Sequence, residues 1–323
     1  MSLRVLMMGT GTFALPSFQA LMNSDHEVVG LVTQPDRVGR GHHRHVNEMK
    51  QAALDSEVAV FQPENVNTDE SLTTLRDFKA DIFVVAAYGQ ILSGELLGIP
   101  RLGAINLHGS LLPKYRGAAP VQFAVLNGEK ETGVTIFQIE PKLDAGPILG
   151  VVSTEIAAKE TSGQLHDRLS ELSVPLTLKV LAGLESGNIE RIVQEKSAVT
   201  KAPKIRKEHG LVDWSRTSSQ ICSHVFGMQP WPMPYAYLHI PEKKSSRIIL
   251  LDVVELNANE ADRVLKLNPG QTQQVDGRML VKTGDGVVEV LQLQPAGKRP
   301  MSSEQFLCGT NIENAQFAGD NQS

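Results

Sequence analysis

The first two thirds of the chain alternate short apolar runs with segments of helical periodicity. Runs such as LRVLMMG and DIFVVAAYG are nearly continuous in apolar residues, and helical patterns such as ESLTTLRDF lie between them. Apolar runs of this kind are typical of strands buried on both faces, and strands that alternate with helices form mostly parallel sheets. The pattern predicts an α/β domain over residues 1–187, with a mostly parallel sheet and helices on both faces.

The last third has the pattern of a small antiparallel domain. An amphipathic segment over residues 161–187 closes the first domain, and its opening Thr-x-x-Gln pattern predicts a capping box. Residues 188–207 are predicted to be a basic linker. Residues 208–310 contain short strands with turn signals, among them a Gly-Asp-Gly hairpin signal, which predicts a small β-barrel. The polar tail, residues 311–323, is predicted to be disordered.

Composition narrows the class of protein. The chain has 323 residues, of which 41% are hydrophobic and 21% charged, and this size and balance predict two domains with a sizeable core. Cys222 and Cys308 are far apart and have no zinc-ligand spacing, which favours a reducing compartment. The apolar runs are too short to span a membrane, and the first residues lack a signal-peptide pattern. We expect a cytoplasmic, monomeric protein with no membrane partner.

The charge pattern bears on nucleic-acid binding. The net charge of −5 argues against a general nucleic-acid binder, but the stretch KSAVTKAPKIRK, residues 196–207, has five basic residues and no acidic one. Such a stretch can bind phosphates by counterion release. A solvated linker is the more common interpretation of a charge run, and both interpretations stay open.

Two glycine- and histidine-containing motifs suggest a cofactor or a metal. The motif GTGTFA follows the first strand and opens a helix, as in dinucleotide sites, but Gln34 and Pro35 stand where an acidic ribose ligand is expected. We interpret it as a tight turn and expect no NAD. The HHRH motif, His42–His45, lacks the spacing with which metal ligands converge. We expect no metal there and interpret the loop as cationic.

The stretch INLHGSLLPKYRGAAP carries the candidate chemistry. Asn106 and His108 stand two residues apart at the end of a predicted strand, so their side chains leave the same face. An imidazole exchanges protons near neutral pH, and an amide can donate to an oxygen that gains negative charge. Asp144, in the later loop PKLDAGPIL, is the carboxylate best placed to orient the imidazole. This trio predicts acyl transfer to an amine, whereas His108 on its own would more often be structural.

These residues resemble a known family. INLHGSLLPKYRGAAP and ETGVTIFQIEPKLDAGPIL are similar to the signature stretches of the folate-dependent formyltransferases. VTQPDR with its GRG loop, AYGQIL, VDWS with QPWPMPYAYL, and LQPAGKRPMS resemble in particular the members that act on methionyl-tRNA. The likeness covers about residues 3–308, in both predicted domains.

The resemblance implies a fold, a reaction and site residues. It implies a Rossmann-like first domain, an OB-like β-barrel that holds tRNA, and transfer of formyl from 10-formyltetrahydrofolate to initiator methionyl-tRNA, without a metal or NAD. It makes Asn106, His108 and Asp144 the catalytic trio. The implied folate-binding residues are Ser110, Leu111, Leu112, Pro113, Tyr88 and Gly89, and the implied tRNA-binding residue is Arg40. The basic stretch adds Lys204, Arg206 and Lys207 as predicted tRNA-binding residues.

The chain departs from the family pattern in one loop, and the acceptor has alternatives. DRVGRGHHRHVNEMK is shorter by a residue than the usual family loop and has imidazoles where lysines are common. The same trio would also serve another amine acceptor, such as an amino-sugar nucleotide, or water in a hydrolase. A non-catalytic RNA-binding module and a dehydrogenase are the remaining alternatives.

Overall fold

A computed structural model describes residues 2–36, 47–261 and 267–319, and the chain divides into two compact units. Unit 1 consists of Met1–Pro120, Glu131–Glu155 and Leu165–Pro203. Unit 2 consists of Val121–Lys130, Ile156–Gln164 and Lys204–Ser323. Neither unit is one continuous stretch of chain.

The first part of the chain forms an alternating series of strands and helices. Its strands are β1 (Arg4–Gly9), β2 (Glu27–Val32), β3 (Val60–Phe61), β4 (Ile82–Ala86), β5 (Ala104–His108), β6 (Arg116–Gly117), β7 (Glu131–Gln138), β8 (Ile148–Glu155) and β9 (Lys201–Ala202). Its helices are α1 (Leu15–Met22), α2 (Glu48–Asp55), α3 (Asp69–Asp77), α4 (Gly94–Leu97), α5 (Pro120–Leu126) and α6 (Ser162–Ser186). The predicted capping box is present at α6, where the Gln164 amide nitrogen of the main chain donates to Thr161 Oγ1 and Thr161 N donates to Gln164 Oε1.

The main sheet of unit 1 has the order β3-β2-β1-β4-β5-β7-β8. The pairs from β3 to β5 are parallel, and β7 and β8 add antiparallel to the edge beyond β5. All five residues of β4 are buried, as are the last five of β1, so these central strands are covered on both faces. The prediction of a mostly parallel α/β sheet is confirmed.

The glycine motif after β1 forms a close turn. A Cβ added to Gly9 would lie 2.9 Å from the Ala86 carbonyl oxygen and 3.0 Å from the Ala14 side chain. A contact of that length would force the main chain of β4 or the following helix to shift. The glycine is therefore explained by the packing of the turn.

Unit 2 is built around an antiparallel sheet. Its strands are β10 (Tyr235–His239), β11 (Ser246–Glu255), β12 (Thr272–Val275), β13 (Arg278–Lys282), β14 (Val287–Pro295), β15 (Met301–Ser302) and β16 (Gln316–Ala318), and its helices are α7 (Ser218–Gly227), α8 (Ala258–Ala261) and α9 (Ser303–Gly309). The order is β12-β13-β14-β11-β10-β16. A bridge between Gln271 and Gln316 brings the two outer strands together, so the sheet is a nearly closed barrel, as predicted.

The prediction of a disordered tail is wrong for residues 311–319. Strand β16 pairs antiparallel with β10, and the side chains of Ile312, Ala315 and Phe317 are buried. The Phe317 ring stacks on Trp214 with centroids 5.3 Å apart. Three apolar residues in a polar stretch are enough to hold this segment, because each of them is removed from water on the barrel.

The prediction of a linker over residues 188–207 is wrong for residues 192–202. Ile192 forms a bridge to Ile148, and β9 pairs in parallel with β6 in unit 1. Gln194 is 5% exposed. This segment is part of the packed structure of unit 1. Of the described residues, none lies in a helix that is long and apolar enough to cross a membrane.

We expect the end of the chain to stabilise unit 2. Phe317→Ala should lower the free energy of unfolding of unit 2 by about 3–5 kcal/mol, since it removes a buried ring and leaves a cavity beside Trp214. Urea unfolding followed by tryptophan fluorescence is a suitable measurement, because Trp214 and Trp231 are the two tryptophans of the chain and both lie in unit 2.

The matched control is Gln316→Ala, a change at the neighbouring exposed position, which should alter the free energy of unfolding by about 0.5 kcal/mol at most. A cost below about 1 kcal/mol for Phe317→Ala would contradict the packing of this segment on the barrel.

Candidate active site at the end of strand β5

Strand β5 places the two central residues of the predicted site. It lies between β4 and β7, and His108 is its last residue. Asn106 and His108 are two positions apart on this strand and project from the same face. His108 is 5% exposed, whereas Asn106 is half-buried. The face therefore carries one buried imidazole and one amide that solvent or a ligand can reach.

The chain after β5 turns back and holds the His108 ring. His108 Nε2 lies 2.9 Å from the Tyr115 carbonyl oxygen, and the ring edge packs against Phe137 with centroids 6.3 Å apart. A carbonyl oxygen only accepts, so Nε2 carries the hydrogen in this bond. In the neutral imidazole Nδ1 then has the free lone pair. The Tyr115 carbonyl thus selects the tautomer in which Nδ1 is the base.

The loop that delivers this carbonyl is held by its own hydrogen bonds. Ser110 Oγ donates to the Lys114 carbonyl at 2.7 Å, and Tyr115 N donates to Thr200 Oγ1 at 2.8 Å. Tyr115 itself has φ of 63°, in the left-handed region that non-glycine residues rarely adopt. The unusual main-chain conformation at Tyr115 is stabilised from two sides, and it turns the carbonyl towards His108.

Asp144 lies in the connection between β7 and β8 and reaches the same loop. Its Oδ2 accepts a hydrogen bond from Gly117 N at 2.8 Å. Gly117 has φ of 128°, and a Cβ there would lie 2.4 Å from the Ala202 carbonyl oxygen, so no other residue fits. The Asp144 carboxylate therefore binds the main chain at Gly117, two residues after Tyr115, and the Tyr115 carbonyl in turn holds His108.

Burial and charge act on the pKa of His108 in opposite directions. Burial lowers the pKa of the ring from its ordinary value of 6.5, and the positive charge of Arg116 lowers it further. The negative charge of Asp144 and the Tyr115 carbonyl raise the pKa, because both favour the imidazolium. Burial is the largest of these effects, so the resting ring is neutral near pH 7. The sequence predicted that Asp144 orients the imidazole; in the structure the Tyr115 carbonyl orients it, and Asp144 acts on it through charge.

The Asn106 amide is available to a ligand. Its side chain forms no hydrogen bond with any residue in the described part of the chain. An amide with a free N–H group beside a basic imidazole nitrogen matches the requirements of a carbonyl that becomes an oxyanion. The geometry supports the predicted pairing of Asn106 with His108.

Of the four residues after Gly109, two are buried inside the loop and two are partly exposed at its surface. Ser110 is fully buried and its hydroxyl is used within the loop, and Leu112 packs with Phe137 and Ile148. Leu111 and Pro113 are half-buried. We infer that Leu111 and Pro113 are the residues of this group with surface to offer a folate ring, and that Ser110 and Leu112 shape the loop from inside.

The AYGQIL loop presents main chain and not the tyrosine ring. Tyr88 is 2% exposed and its ring packs in the core against residues that include Leu6 and Leu96. Its hydroxyl has no hydrogen-bond partner among the described residues, and burial raises the pKa of the phenol. The Tyr88 carbonyl accepts from Gln34 Nε2 at 3.0 Å, and Gly89 is exposed with φ of 84°. Any contact of Tyr88 with folate in this state would be through its main chain.

The predicted tRNA-binding residues that the structure describes are exposed. Lys204, Arg206 and Lys207 all lie at the surface of unit 2, around the buried Ile205. Arg206 has an acidic neighbour, Glu208, with a nitrogen-to-oxygen distance of 3.9 Å. Arg40 and His42–His45 lie outside the described residues. Over the part of the chain that is described, no group of three His, Cys, Asp or Glu side chains is placed to bind a metal ion.

Three residues of the site were not predicted as functional. Tyr115 and Arg116 lie inside the quoted motif, but a main-chain carbonyl leaves no signal in a sequence. Gln194 lies in RIVQEK, where no periodicity or motif marks it. Its amide nitrogen donates to the carbonyls of Asp144 and Gly146 at 2.9 and 2.8 Å, and its oxygen accepts from Arg116.

The fold and site together define an α/β group-transfer enzyme with an attached β-barrel. Family models described as "Formyl transferase" and "Formyl transferase, C-terminal domain" match residues 1–181 and 204–311. Relatives named methionyl-tRNA formyltransferase are 43% identical over 310 residues in Nitratidesulfovibrio vulgaris and 41% identical over 312 residues in Desulfotalea psychrophila. These alignments cover 95% and 96% of this chain, and 93% and 94% of the relatives. The chain belongs to the formyl transferase family.

Solved structures agree with the fold. The crystal structure of WlaRD, a sugar 3N-formyl transferase, in the presence of dTDP and 5-N-formyl-THF superposes with a TM-score of 0.64. The match covers 93% of this chain and 100% of that chain, at 16% sequence identity. The shared architecture thus includes both units.

The charge of Asp144 should be measurable at His108. Asp144→Asn keeps an oxygen that can accept from Gly117 N but removes the negative charge, so the pKa of His108, already below 6.5, should fall further. The measurement is an NMR titration of labelled histidine rings, with His108→Gln to assign the signal among the nine histidines.

Asp77→Asn, a change at an exposed carboxylate at the end of α3, is the control and should leave the His108 titration unchanged. A His108 pKa that stays the same or rises in Asp144→Asn would show that the carboxylate does not act on the ring.

Proposed function

We propose that this protein transfers the formyl group of 10-formyltetrahydrofolate to the free amino group of initiator methionyl-tRNA, giving N-formylmethionyl-tRNA in the cytoplasm. The observation that carries the proposal is the pairing on one face of β5 of an amide without a described partner and an imidazole whose Nδ1 is the free base. The full-length similarity to relatives named methionyl-tRNA formyltransferase supports this acceptor.

The reaction needs one bond formed, one broken and one proton moved. The amine nitrogen attacks the formyl carbon, the carbonyl oxygen becomes negative, and the bond from that carbon to the folate nitrogen breaks as the adduct collapses. The amine loses a proton and the folate nitrogen gains one. Both products are then neutral at the reacting centre, and no bond to the protein forms.

We assign the two halves of this chemistry to the two residues on β5. The Asn106 amide donates to the developing oxyanion. Neutral His108 accepts the amine proton at Nδ1, and the resulting imidazolium returns it to the leaving nitrogen. The negative charge of Asp144 and the Tyr115 carbonyl stabilise the imidazolium in the interval. A buried ring with a lowered pKa suits this role, because it is unprotonated before the amine arrives.

We assign substrate binding to residues around the end of β5 and to basic residues elsewhere in the chain. Leu111 and Pro113, with the main chain at Tyr88 and Gly89, are proposed to border the folate. In unit 2 the exposed Lys204, Arg206 and Lys207 are proposed to contact tRNA phosphates, and Arg40, which lies outside the described residues, is proposed to do so as well. A monomeric state stays a prediction.

The assay that tests the proposal offers three acceptors to the purified protein with formyl-labelled 10-formyltetrahydrofolate. We expect label on charged initiator tRNA, little on charged elongator tRNA and none on an amino-sugar nucleotide. Transfer to the sugar amine in preference to tRNA would overturn the acceptor, and the absence of transfer to every acceptor would overturn the reaction.

The role of Asn106 has its own test. Asn106→Ala should reduce kcat by about 10² to 10³, the usual loss on removal of one oxyanion donor, which corresponds to about 3–4 kcal/mol. Folding and tRNA binding should be retained, because the amide has no described partner within the protein. Single-turnover kinetics with saturating substrates measure the loss.

Asn188→Ala, at an exposed position of unit 1, is the matched control and should leave kcat unchanged. A loss of only about tenfold or less for Asn106→Ala would mean that another group stabilises the oxyanion.

A further inference from the structure

Gln194 is a buried side chain that hydrogen-bonds to the Arg116 side chain and to the main chain of Asp144, the two charged residues that act on the pKa of His108. Its amide nitrogen donates to the main-chain carbonyls of Asp144 and Gly146, and its amide oxygen accepts from Arg116 Nε at 3.1 Å and from the second Arg116 nitrogen at 2.6 Å. Both donor hydrogens and both acceptor lone pairs of this amide are therefore used. A fully satisfied buried amide of this kind has a single orientation.

The two residues that Gln194 joins come from different segments of unit 1. Arg116 belongs to β6, and Asp144 belongs to the connection between β7 and β8. The positive charge of Arg116 disfavours the imidazolium of His108, and the negative charge of Asp144 favours it. The balance of the two effects depends on where each charge stands, because Coulomb energies change steeply at short distances in a buried site.

The Asp144 carboxylate needs this outside support. Asp144 has φ of 47°, in the left-handed region, and its exposed neighbour Leu143 gives the loop no packing. One hydrogen bond from Gly117 N holds the carboxylate, and the two bonds from Gln194 hold the main chain on either side of Ala145. Without Gln194 the main chain at this strained residue would lose its described side-chain contacts.

We propose that Gln194 is a positioning residue for the formyl transfer, which keeps the Asp144 carboxylate at its working distance from His108 by binding the loop between β7 and β8. The inference rests on the catalytic roles proposed for His108 and Asp144. It gives a function to the segment between α6 and β9, which in the sequence has the appearance of a linker. Gln194 touches no substrate in this role and acts only through Asp144.

The test is a double-mutant cycle of Gln194→Leu with Asp144→Asn. Leucine is similar in size to glutamine but supplies neither the two donors nor the acceptor. If Gln194 acts through Asp144, Gln194→Leu should lower kcat by roughly tenfold to a hundredfold, with little change in KM, because a small misplacement of a catalytic group is costly. In the Asp144→Asn background the same change should cost about twofold or less. Equal losses in both backgrounds would overturn the proposal, since a general loss of folded protein would give that result.

The same double-mutant cycle can be measured without substrate, through the pKa of His108 in an NMR titration. The fall in the His108 pKa caused by Asp144→Asn should be smaller in the Gln194→Leu background, because the carboxylate there no longer stands at a fixed distance from the ring. An undiminished fall would contradict the proposal. This readout also separates the two hypotheses: a protein that fails to formylate methionyl-tRNA would refute the proposed function, and the titration would still decide the role of Gln194.

Two further variants serve as a second test of Gln194 and as a control. Gln194→Glu keeps an acceptor for Arg116 but loses both donors to the loop, so it should reproduce the cycle even where the leucine variant folds poorly; wild-type behaviour of Gln194→Glu would overturn the proposal. Gln229 is the matched control, because its amide nitrogen also donates to two main-chain carbonyls, those of Val225 and Leu251, within unit 2. Gln229→Leu should leave the His108 titration unchanged.

Discussion

The hydrogen bond between His108 Nε2 and the Tyr115 carbonyl is the interaction on which the site depends. In this bond Nε2 of the buried ring carries the hydrogen, so Nδ1 is the only basic nitrogen of the neutral imidazole. A histidine that was merely buried would also have a lowered pKa, but it would have no defined tautomer. The loop that carries Tyr115 has a main-chain conformation rare for a residue with a side chain, so the surrounding hydrogen bonds must stabilise it.

Much of unit 1 supports this single loop. Thr135 on β7 donates its hydroxyl to the Ser110 carbonyl at 2.7 Å and accepts from Leu112 N at 3.0 Å. On the other side, β9 pairs with β6 and the Ala202 carbonyl accepts from Ala118 N. The antiparallel edge of the sheet and the segment after α6 therefore have a common role, which is to fix the chain between His108 and Ala118. This arrangement brings the Asp144 carboxylate to the loop that holds the His108 ring, although these two residues are far apart in the sequence.

The parts of the site visible in the sequence are those that follow from periodicity. Asn106 and His108 share a face because side chains alternate along any strand, and Asp144 was named as a carboxylate in a loop that follows the next strands. The α/β sheet and the antiparallel barrel were predicted for the same reason, from runs of apolar residues and turn signals. The tail was not, because Ile312, Ala315 and Phe317 have no regular spacing, and only the barrel surface shows why they are buried.

Gln194 shows most clearly where sequence reasoning ends. It lies 50 residues from Asp144 and 78 from Arg116, and its function comes from which carbonyls the fold places within reach. The charge pattern predicted that the neighbouring stretch is a basic linker, and Lys196, Lys201 and Lys204 are exposed in the structure. These lysines are exposed and the Gln194 amide is buried, so neighbouring residues of the chain can present cations to solvent while one of them holds the loop that carries Asp144. A charge pattern in the sequence reveals the exposed lysines but not the role of the buried amide, because that role depends on hydrogen bonds to main-chain atoms.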